Sequence, residues 1–161
     1  MKYIIGVAEM KVSDCGGDIL TTHALGSCLG VAVHDPVACV GGLLHVMLPL
    51  STIAEEKGRE KPAMFIDTGL PRLFVECYGL GAKKSRMIVK AAGGAHVGKG
   101  DEDDDMFRIG RRNATMLRKL LWRNGVLLDG EDLGGTCSRT MTLAIGSGEV
   151  TIKANGDAMT L

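Results

Sequence analysis

The sequence lacks an excess of either charge, since 19 lysine and arginine residues stand against 19 aspartate and glutamate residues and the formal net charge is +0. Proteins that bind nucleic acids or anionic membranes usually present a basic surface. The sequence also lacks any apolar run of the roughly 18 residues that a transmembrane helix needs. These two absences argue against nucleic-acid binding and against insertion into a membrane.

The chain has no Cys-x-x-Cys pair, which argues against a structural zinc site. Its five cysteines are an odd number and too few for a disulfide scaffold, so we expect a reducing, cytoplasmic location. The first stretch, "MKYIIGVAEMKVSD", has no small-residue cleavage site after its short apolar run, which favours a strand over a signal peptide.

The sequence predicts neither a metal site nor a cofactor. The acidic run 101–105, "DEDDD", lacks the spacing of a calcium loop, and we interpret it as a solvated loop. No glycine-rich stretch ends in the Gly-Lys-Ser/Thr of a phosphate-binding loop.

What the chain does contain is enough apolar material for a core, at 45% of its 161 residues. Its length and the absence of a linker or repeat predict one domain over residues 1–161. Glycine is abundant at 23 residues, which is roughly twice the average share and indicates many tight turns or close backbone approaches.

The spacing of apolar and turn residues predicts an α+β fold, because groups of strands are interrupted by two helices instead of alternating with them. The helices are expected at 64–78 and 109–124, with glycines after each as stop signals. Charged loops are expected at 50–62 and 96–106. The predicted strands are 2–12, 18–22, 29–34, 38–47, 85–94, 126–132, 140–147 and 149–155, and the last two are expected to form a hairpin.

One cysteine and one histidine are spaced as a thiol and its base would be. Cys28 follows the turn "LGS" at the entry to a strand, and His45 lies 17 residues later near the end of the next strand. A short turn at "HDPV" would make these strands antiparallel neighbours and bring the two side chains together. The turn before Cys28 could also leave N–H groups free for an oxyanion, so we predict Ser27 and Gly26 as oxyanion or substrate-binding residues.

Structural interpretations stay open beside this functional one. A cysteine in a glycine-rich turn is often core filling, and a histidine in an apolar strand is often a hydrogen-bonded core residue. His23 is a rival base, because it is close to Cys28 in sequence. The remaining histidines, His34 and His96, are predicted to be turn residues, and the other four cysteines are interpreted as structural: Cys15, Cys39, Cys77 and Cys137.

Several blocks of the sequence resemble the chemoreceptor glutamine deamidases, the CheD family. The signature "LGSCLGV" followed by "HDPVACVGGLLHVMLP" is highly specific, and "FIDTGLPRL", "KAAGGA", "IGRRN" and "EDLGGTCSR" follow in the same order. The similarity covers roughly residues 4–152. It departs from the family in the turn before Gly-Ser-Cys, where His23 and Ala24 stand in place of the two glycines that are frequent there, and in an unusually acidic loop after "GGA".

The resemblance implies a role for three residues and a fold. The family's nucleophile falls on Cys28, its histidine base on His45, and its third residue, a threonine six positions before the cysteine, on Thr22. It implies packed mixed β-sheets flanked by helices, similar to the catalytic domain of cytotoxic necrotizing factor toxins. We therefore expect His45 to lower the pKa of the Cys28 thiol, or to accept its proton, while Thr22 holds the imidazole.

The resemblance also implies a cytoplasmic enzyme that hydrolyses selected glutamine side chains on methyl-accepting chemotaxis receptors to glutamate. The same acyl transfer would accept a glutamyl methyl ester. The implied partner is a CheC-type phosphatase that mimics the receptor helix, and we expect the loops 50–62 and 96–106 to line the shared groove. The alternatives are a non-catalytic docking regulator of that phosphatase and, more weakly, a thiol redox sensor, for which no resolving cysteine is evident.

Overall fold

The computed structural model of the chain describes residues 1–97 and 105–161, and in the second stretch it describes side chains from residue 108 onward. The fold is α+β, as predicted, with two packed five-stranded sheets and helices. The strands are β1 (Lys2–Ile4), β2 (Glu9–Ser13), β3 (Ile19–Leu25), β4 (Leu29–Asp35), β5 (Val40–Val46), β6 (Ile88–Gly93), β7 (Gly130–Leu133), β8 (Arg139–Ala144), β9 (Val150–Ala154) and β10 (Asp157–Thr160).

Both sheets are mixed. The first has the order β1-β3-β8-β9-β10, in which β1 and β3 are parallel and the other pairs are antiparallel. The second has the order β2-β5-β4-β6-β7, in which β6 and β7 are parallel and the others antiparallel. The predicted antiparallel pairing of β4 with β5 and the hairpin of β8 with β9 are confirmed.

The helices are α1 (Glu55–Glu60), α2 (Ile66–Gly79) and α3 (Asp105–Arg123). Apolar side chains on α2 and α3 pack on one face of the second sheet, and its other face packs on the first sheet. Every residue of β4 and β5 is buried, because these two strands are covered on both faces. Glycines with positive φ follow the two longer helices, Gly81 at 101° and Gly125 at 66°, in line with the predicted stop signals.

The predicted strand 2–12 is wrong as one element, because it forms two strands in different sheets. Ile5 still donates its backbone N–H to Thr21 in the first sheet, at 2.8 Å. Ala8, at a φ of 61°, already donates its N–H to the carbonyl of His45 in the second sheet, at 3.0 Å. The chain therefore changes sheets within three residues. Apolar periodicity cannot show this change, because both halves carry apolar residues, although Tyr3 and Ile5 pack between the two sheets while Met10 and Val12 pack in the cluster with the helices.

Other predictions need correction at the level of single elements. His34 is not a turn residue: it is buried in β4 and donates Nε2–H to the carbonyl of Ile145 at 2.7 Å. The strand predicted at 126–132 is confined to β7, and β10 was missed because all four of its residues are exposed and show no alternating burial. His96 lies outside the regular elements, as predicted.

The loop predicted at 50–62 is more ordered than expected, since it contains two short 3₁₀ turns, Ser51–Ile53 and Pro62–Met64, on either side of α1. Most of the loop predicted at 96–106, including residues 101–104 of the acidic run, lies outside the described residues. No helix in the described part of the chain is long and apolar enough to cross a membrane. The predicted similarity to the cytotoxic necrotizing factor domain stays a prediction.

Candidate active site

The pairing of β4 with β5 places Cys28 and His45 on the same face of the second sheet. Gly30 is directly opposite His45 in the antiparallel register, and Cys28 lies two residues before Gly30. Because side chains alternate along a strand, Cys28 and His45 both face the first sheet, as diagonal neighbours across the glycine. Leu43, two residues before His45, and Cys28 itself both pack in the core between the sheets.

Glycines at two positions beside this pair allow close packing. A Cβ added to Gly30 would lie 2.8 Å from Leu25 Cδ1 and 2.8 Å from Met141 Sδ, so a side chain there would displace these two buried side chains. A Cβ added to Gly93 would lie 2.1 Å from the carbonyl oxygen of Cys28. Because Gly93 has no Cβ, β6 can pack directly against the backbone of Cys28.

A hydrogen-bond chain fixes the protonation of His45. Thr22, from β3 in the opposite sheet, donates its hydroxyl proton to the carbonyl of Ile5 at 2.7 Å. The same oxygen lies 2.7 Å from Nδ1 of His45. A hydroxyl has one proton to donate, so its oxygen must accept the second bond from Nδ1–H. The neutral imidazole therefore carries its proton on Nδ1 and leaves the lone pair on Nε2.

That lone pair is available to take a proton. Nε2 of His45 is buried and has no hydrogen-bond partner among the described residues. Thr22 and His45 are 0% and 1% exposed, so water does not compete for the bond between them. An unpartnered basic nitrogen in the interior costs stability, and this cost is explained if Nε2 receives a proton during a reaction.

Burial favours the uncharged forms of both Cys28 and His45. Burial raises the pKa of the Cys28 thiol, an effect that its own backbone N–H partly opposes. Burial also lowers the pKa of the His45 imidazole. The expectation that His45 lowers the pKa of Cys28 is thus not supported. The arrangement favours a neutral thiol and a neutral base over a thiolate–imidazolium pair.

Two of the three backbone N–H groups in the turn 26–28 are available as hydrogen-bond donors. Among the described residues, the N–H groups of Ser27 and Cys28 donate to no backbone carbonyl, which leaves them available to an oxyanion. The N–H of Gly26 instead donates to the carbonyl of Ala24 at 3.0 Å, so Gly26 is not a free oxyanion donor. A Cβ on Gly26 would meet only Val97, at an ordinary 3.5 Å.

The same turn is strained at the position where this sequence departs from the pattern of the family it resembles. Ala24 has a φ of 57°, and the register between β3 and β8 shifts between Thr22 and Leu25. A left-handed conformation is easiest for glycine, which gives a physical reason for glycine at this point. The shift also turns His23 outward: it is exposed and lies 3.2 Å from the Thr140 hydroxyl through Nδ1. The geometry therefore favours His45 over His23 as the base.

One residue that joins the segments of Cys28 and His45 was not predicted from the sequence. Asn113 of α3 is 0% exposed and donates from Nδ2 to the carbonyls of Ser27, at 2.9 Å, and Met47, at 3.0 Å. The block "IGRRN" that contains it was noted, but nothing in its pattern indicates a link to Cys28 or His45. A buried asparagine in an amphipathic helix is the one signal that could have drawn attention to it.

The other cysteines lie elsewhere. Cys77 is buried on α2, where burial raises its pKa to about 12, in agreement with a structural role. Cys39 and Cys137 are half-buried and each contacts a polar group, the Ile145 carbonyl and the Asn155 amide. Cys15 is exposed, so it is not a core residue. Within the described residues, no three His, Cys, Asp or Glu side chains are grouped as a metal site would need.

Comparison with known proteins gives consistent relatives. The family model described as CheD chemotactic sensory transduction matches residues 47–154. A protein of Syntrophus aciditrophicus named probable chemoreceptor glutamine deamidase CheD 1 is 50% identical over 153 residues, which are 95% of this chain and 94% of that protein. A protein of Solibacter usitatus, named probable chemoreceptor glutamine deamidase CheD, is 49% identical over 95% of this chain and 89% of its own length. A protein of Desulforamulus reducens with the same name is 43% identical over 96% of this chain and 92% of its own length.

The crystal structure of Neisseria meningitidis protein NMB0706 superposes on 82% of this chain and 62% of its own, with a TM-score of 0.46 and 12% identity, a likeness too distant to bear on function. The family model matches residues 47–154, and the three relatives cover 95% or 96% of the sequence. The chain belongs to the CheD family.

Proposed function

We propose that this protein is a protein-glutamine glutaminase that hydrolyses glutamine side chains of chemoreceptors to glutamate, with Cys28 as nucleophile, His45 as general base and Thr22 as the residue that orients it. One observation carries the proposal. The Thr22 hydroxyl accepts Nδ1–H of His45, which leaves the unpartnered Nε2 as a base on the face of the sheet that also carries Cys28.

The first half of the reaction forms a thioester. Nε2 of His45 takes the proton from the Cys28 thiol as the sulfur attacks the carboxamide carbon, so no resting ion pair is needed. The oxyanion of the tetrahedral intermediate accepts hydrogen bonds from the N–H groups of Ser27 and Cys28, and one such donor is worth about 3–4 kcal/mol. When the intermediate collapses, the C–N bond breaks and Nε2–H gives its proton to the departing ammonia.

The second half releases glutamate. A water molecule attacks the thioester while Nε2 of His45 takes one of its protons. The C–S bond then breaks, and the sulfur of Cys28 recovers a proton from the imidazolium. In both halves the imidazolium forms transiently with Nδ1–H directed at Thr22, whose own proton is held by the Ile5 carbonyl. A reducing cytoplasm would keep Cys28 as the thiol that this cycle requires.

The substrate class follows from the relatives and from the site. The relatives named above are called probable chemoreceptor glutamine deamidases, so a methyl-accepting chemotaxis receptor is the proposed substrate. The same attack on an acyl carbon would accept a glutamyl methyl ester, with methanol in place of ammonia as the leaving group. We therefore include ester hydrolysis as a second reaction of the same three residues.

A CheC-type phosphatase is the proposed competitor of the receptor. The face of this protein that it would cover includes the segment after β5, where the apolar side chains of Leu50 and Ile53 are exposed. It also includes Val97, which lies beside the Cys28 turn. A partner that mimics a receptor helix would cover the same entrance to Cys28. Rising phosphatase should then inhibit receptor deamidation, and tight binding with undiminished turnover would contradict a shared face.

The decisive experiment is mass spectrometry of receptor fragments before and after incubation with the protein. Conversion of glutamine to glutamate adds about one dalton, and it should disappear with Cys28→Ala and with His45→Ala because residues of one catalytic unit are not additive. His23→Ala is the matched control and should retain activity. Full activity of a folded Cys28→Ala variant would end the thioester mechanism and leave the non-catalytic docking regulator as the better proposal.

A further inference from the structure

We infer that Asn113 is a positioning residue of this active site, which fixes the distance between Cys28 and His45 by binding the backbone beside each of them. The inference depends on the proposed function of those two residues. Asn113 lies on α3, outside both strands that carry the pair, and does not act on the substrate itself.

The two carbonyls that Asn113 binds belong to the two sides of the site. The Ser27 carbonyl precedes Cys28 directly, and the Met47 carbonyl lies two residues after His45. One amide nitrogen with two protons therefore joins the segment of the nucleophile to the segment of the base. Among the described residues, no backbone N–H donates to either carbonyl.

This link is located where the sheet itself stops holding the two segments together. The last paired residues of β4 and β5 at this end are Leu29 and Val46. Cys28 and Met47 come next, beyond the ladder. Beyond the ladder each segment is held by a different neighbour, Cys28 by Gly94 and Met47 by Met64. The side chain of Asn113 joins the two segments to each other.

The helix is brought close enough for this contact by a glycine. Gly110 lies three residues before Asn113, and a Cβ there would lie 2.7 Å from the carbonyl oxygen of Gly94 and 2.9 Å from that of Ala95. Gly94 in turn donates its N–H to the Cys28 carbonyl at 2.9 Å. The segment 93–95 is therefore fixed between α3 and the nucleophile, so a shift of α3 would affect both contacts.

The identity of the residue is hard to explain by stability alone. Oδ1 of Asn113 is buried and has no hydrogen-bond partner in the described part of the chain. Burial of an unpaired amide oxygen is unfavourable, and asparagine is a poor helix former. A position next to Leu117 in the same buried face of α3 would ordinarily favour an apolar residue. An apolar residue could not donate the two hydrogen bonds that the Asn113 amide makes to the Ser27 and Met47 carbonyls.

The test compares Asn113→Ala with Leu117→Ala, a control that weakens the packing of the same helix but removes no hydrogen bond to the strand ends. Small displacements of reacting groups are costly, so Asn113→Ala should lower kcat about 10- to 100-fold while KM changes less than about twofold. Leu117→Ala should lower thermal stability but keep kcat within about twofold of the wild type. Gly110→Ala, which pushes α3 outward, should reproduce the kinetic effect of Asn113→Ala.

A second readout follows the thiol directly. Alkylation of Cys28 by iodoacetamide, measured by peptide mass spectrometry, is compared at each pH with alkylation of the exposed Cys15 in the same molecule. The ratio of the two rates near neutral pH should fall in Asn113→Ala towards the value found in His45→Ala, since the base is displaced in the first variant and absent in the second.

Each outcome decides between the two claims. If His45→Ala leaves the alkylation ratio and kcat unchanged, the proposed function is wrong. If His45→Ala lowers both but Asn113→Ala lowers neither, or if Leu117→Ala lowers kcat as much as Asn113→Ala does, the positioning role is wrong and the proposed function stands. If Asn113→Ala does not fold, Asn113→Ser carries the test: its single hydroxyl proton can serve at most one carbonyl, so kcat must still fall for the inference to hold.

Discussion

Replacement of Thr22 by valine removes one oxygen from the site and keeps the shape of the side chain. In the folded protein that oxygen donates to the Ile5 carbonyl and accepts Nδ1–H of His45, both at 2.7 Å. Thr22→Val therefore leaves two buried polar groups without partners. It also removes the reason for the imidazole to carry its proton on Nδ1, so part of the population would place the proton on Nε2 and could not accept one from Cys28.

The expected size of each effect follows from these contacts. Two unsatisfied buried groups cost about 1–3 kcal/mol each, so the free energy of unfolding should fall by about 2–6 kcal/mol. During the reaction the bond from Nδ1–H is made by an imidazolium, and a hydrogen bond to a charged group is worth about 1.5–3 kcal/mol. Its loss corresponds to a decrease of about 10- to 150-fold in kcat.

Thr22→Ser is the matched control, because it keeps the hydroxyl and loses only a methyl group. It should cost about 1 kcal/mol of stability and leave kcat within a few fold of the wild type. Urea denaturation measures the free energy of unfolding, ammonia release from a receptor fragment measures kcat, and ¹⁵N chemical shifts of His45 report its tautomer. Wild-type kcat in a folded Thr22→Val protein, with Nδ1 still protonated, would refute the role of the hydroxyl.

Three further predictions concern the protonation and the backbone of the site. Burial raises the pKa of Cys28 and lowers that of His45, so kcat/KM should fall only as the pH is lowered, with a midpoint below the usual pKa of 6.5 of histidine. A bell-shaped pH profile would indicate an ion pair instead. Gly93→Ala should abolish activity and lower the melting temperature, because its Cβ would lie 2.1 Å from the Cys28 carbonyl; Gly125→Ala, also at positive φ but with no atom within 4 Å, should keep activity. Ala24→Gly should relieve the backbone strain at φ 57°, which is worth about 1–2 kcal/mol before the added flexibility of the unfolded chain is subtracted. A loss of stability in a melting experiment would contradict this strain.

The neutral pair bears on how selective the enzyme can be. A resting thiolate reacts with many electrophiles, whereas a thiol that loses its proton only during attack reacts when an acyl carbon is already in place. The burial that raises the pKa of Cys28 therefore limits side reactions of the cysteine. His45 remains neutral for the same reason, and its lone pair is ready when the substrate binds.

The parts of the fold that could be predicted are those with strong local patterns. The run of apolar residues on either side of "HDPV" predicts β4 and β5, and the period of apolar residues predicts α2 and α3 with their buried faces. The failures have a common cause. The strand predicted at 2–12 divides between two sheets, and β10 shows no burial pattern, so in both cases the sheet to which a segment belongs depends on distant partners.

The sequence by itself predicted Cys28 and His45 side by side on neighbouring strands, because a two-strand hairpin with a short turn has a register that the spacing of its residues fixes. The tertiary structure alone decided what each of them contacts. Thr22 reaches His45 from the opposite sheet and Asn113 reaches both strand ends from a helix 66 residues beyond Met47. Contacts of this kind depend on how sheets and helices pack, and packing leaves no periodic trace in the sequence. For the same reason the protonation of the pair followed only from its burial, which a sequence does not reveal residue by residue.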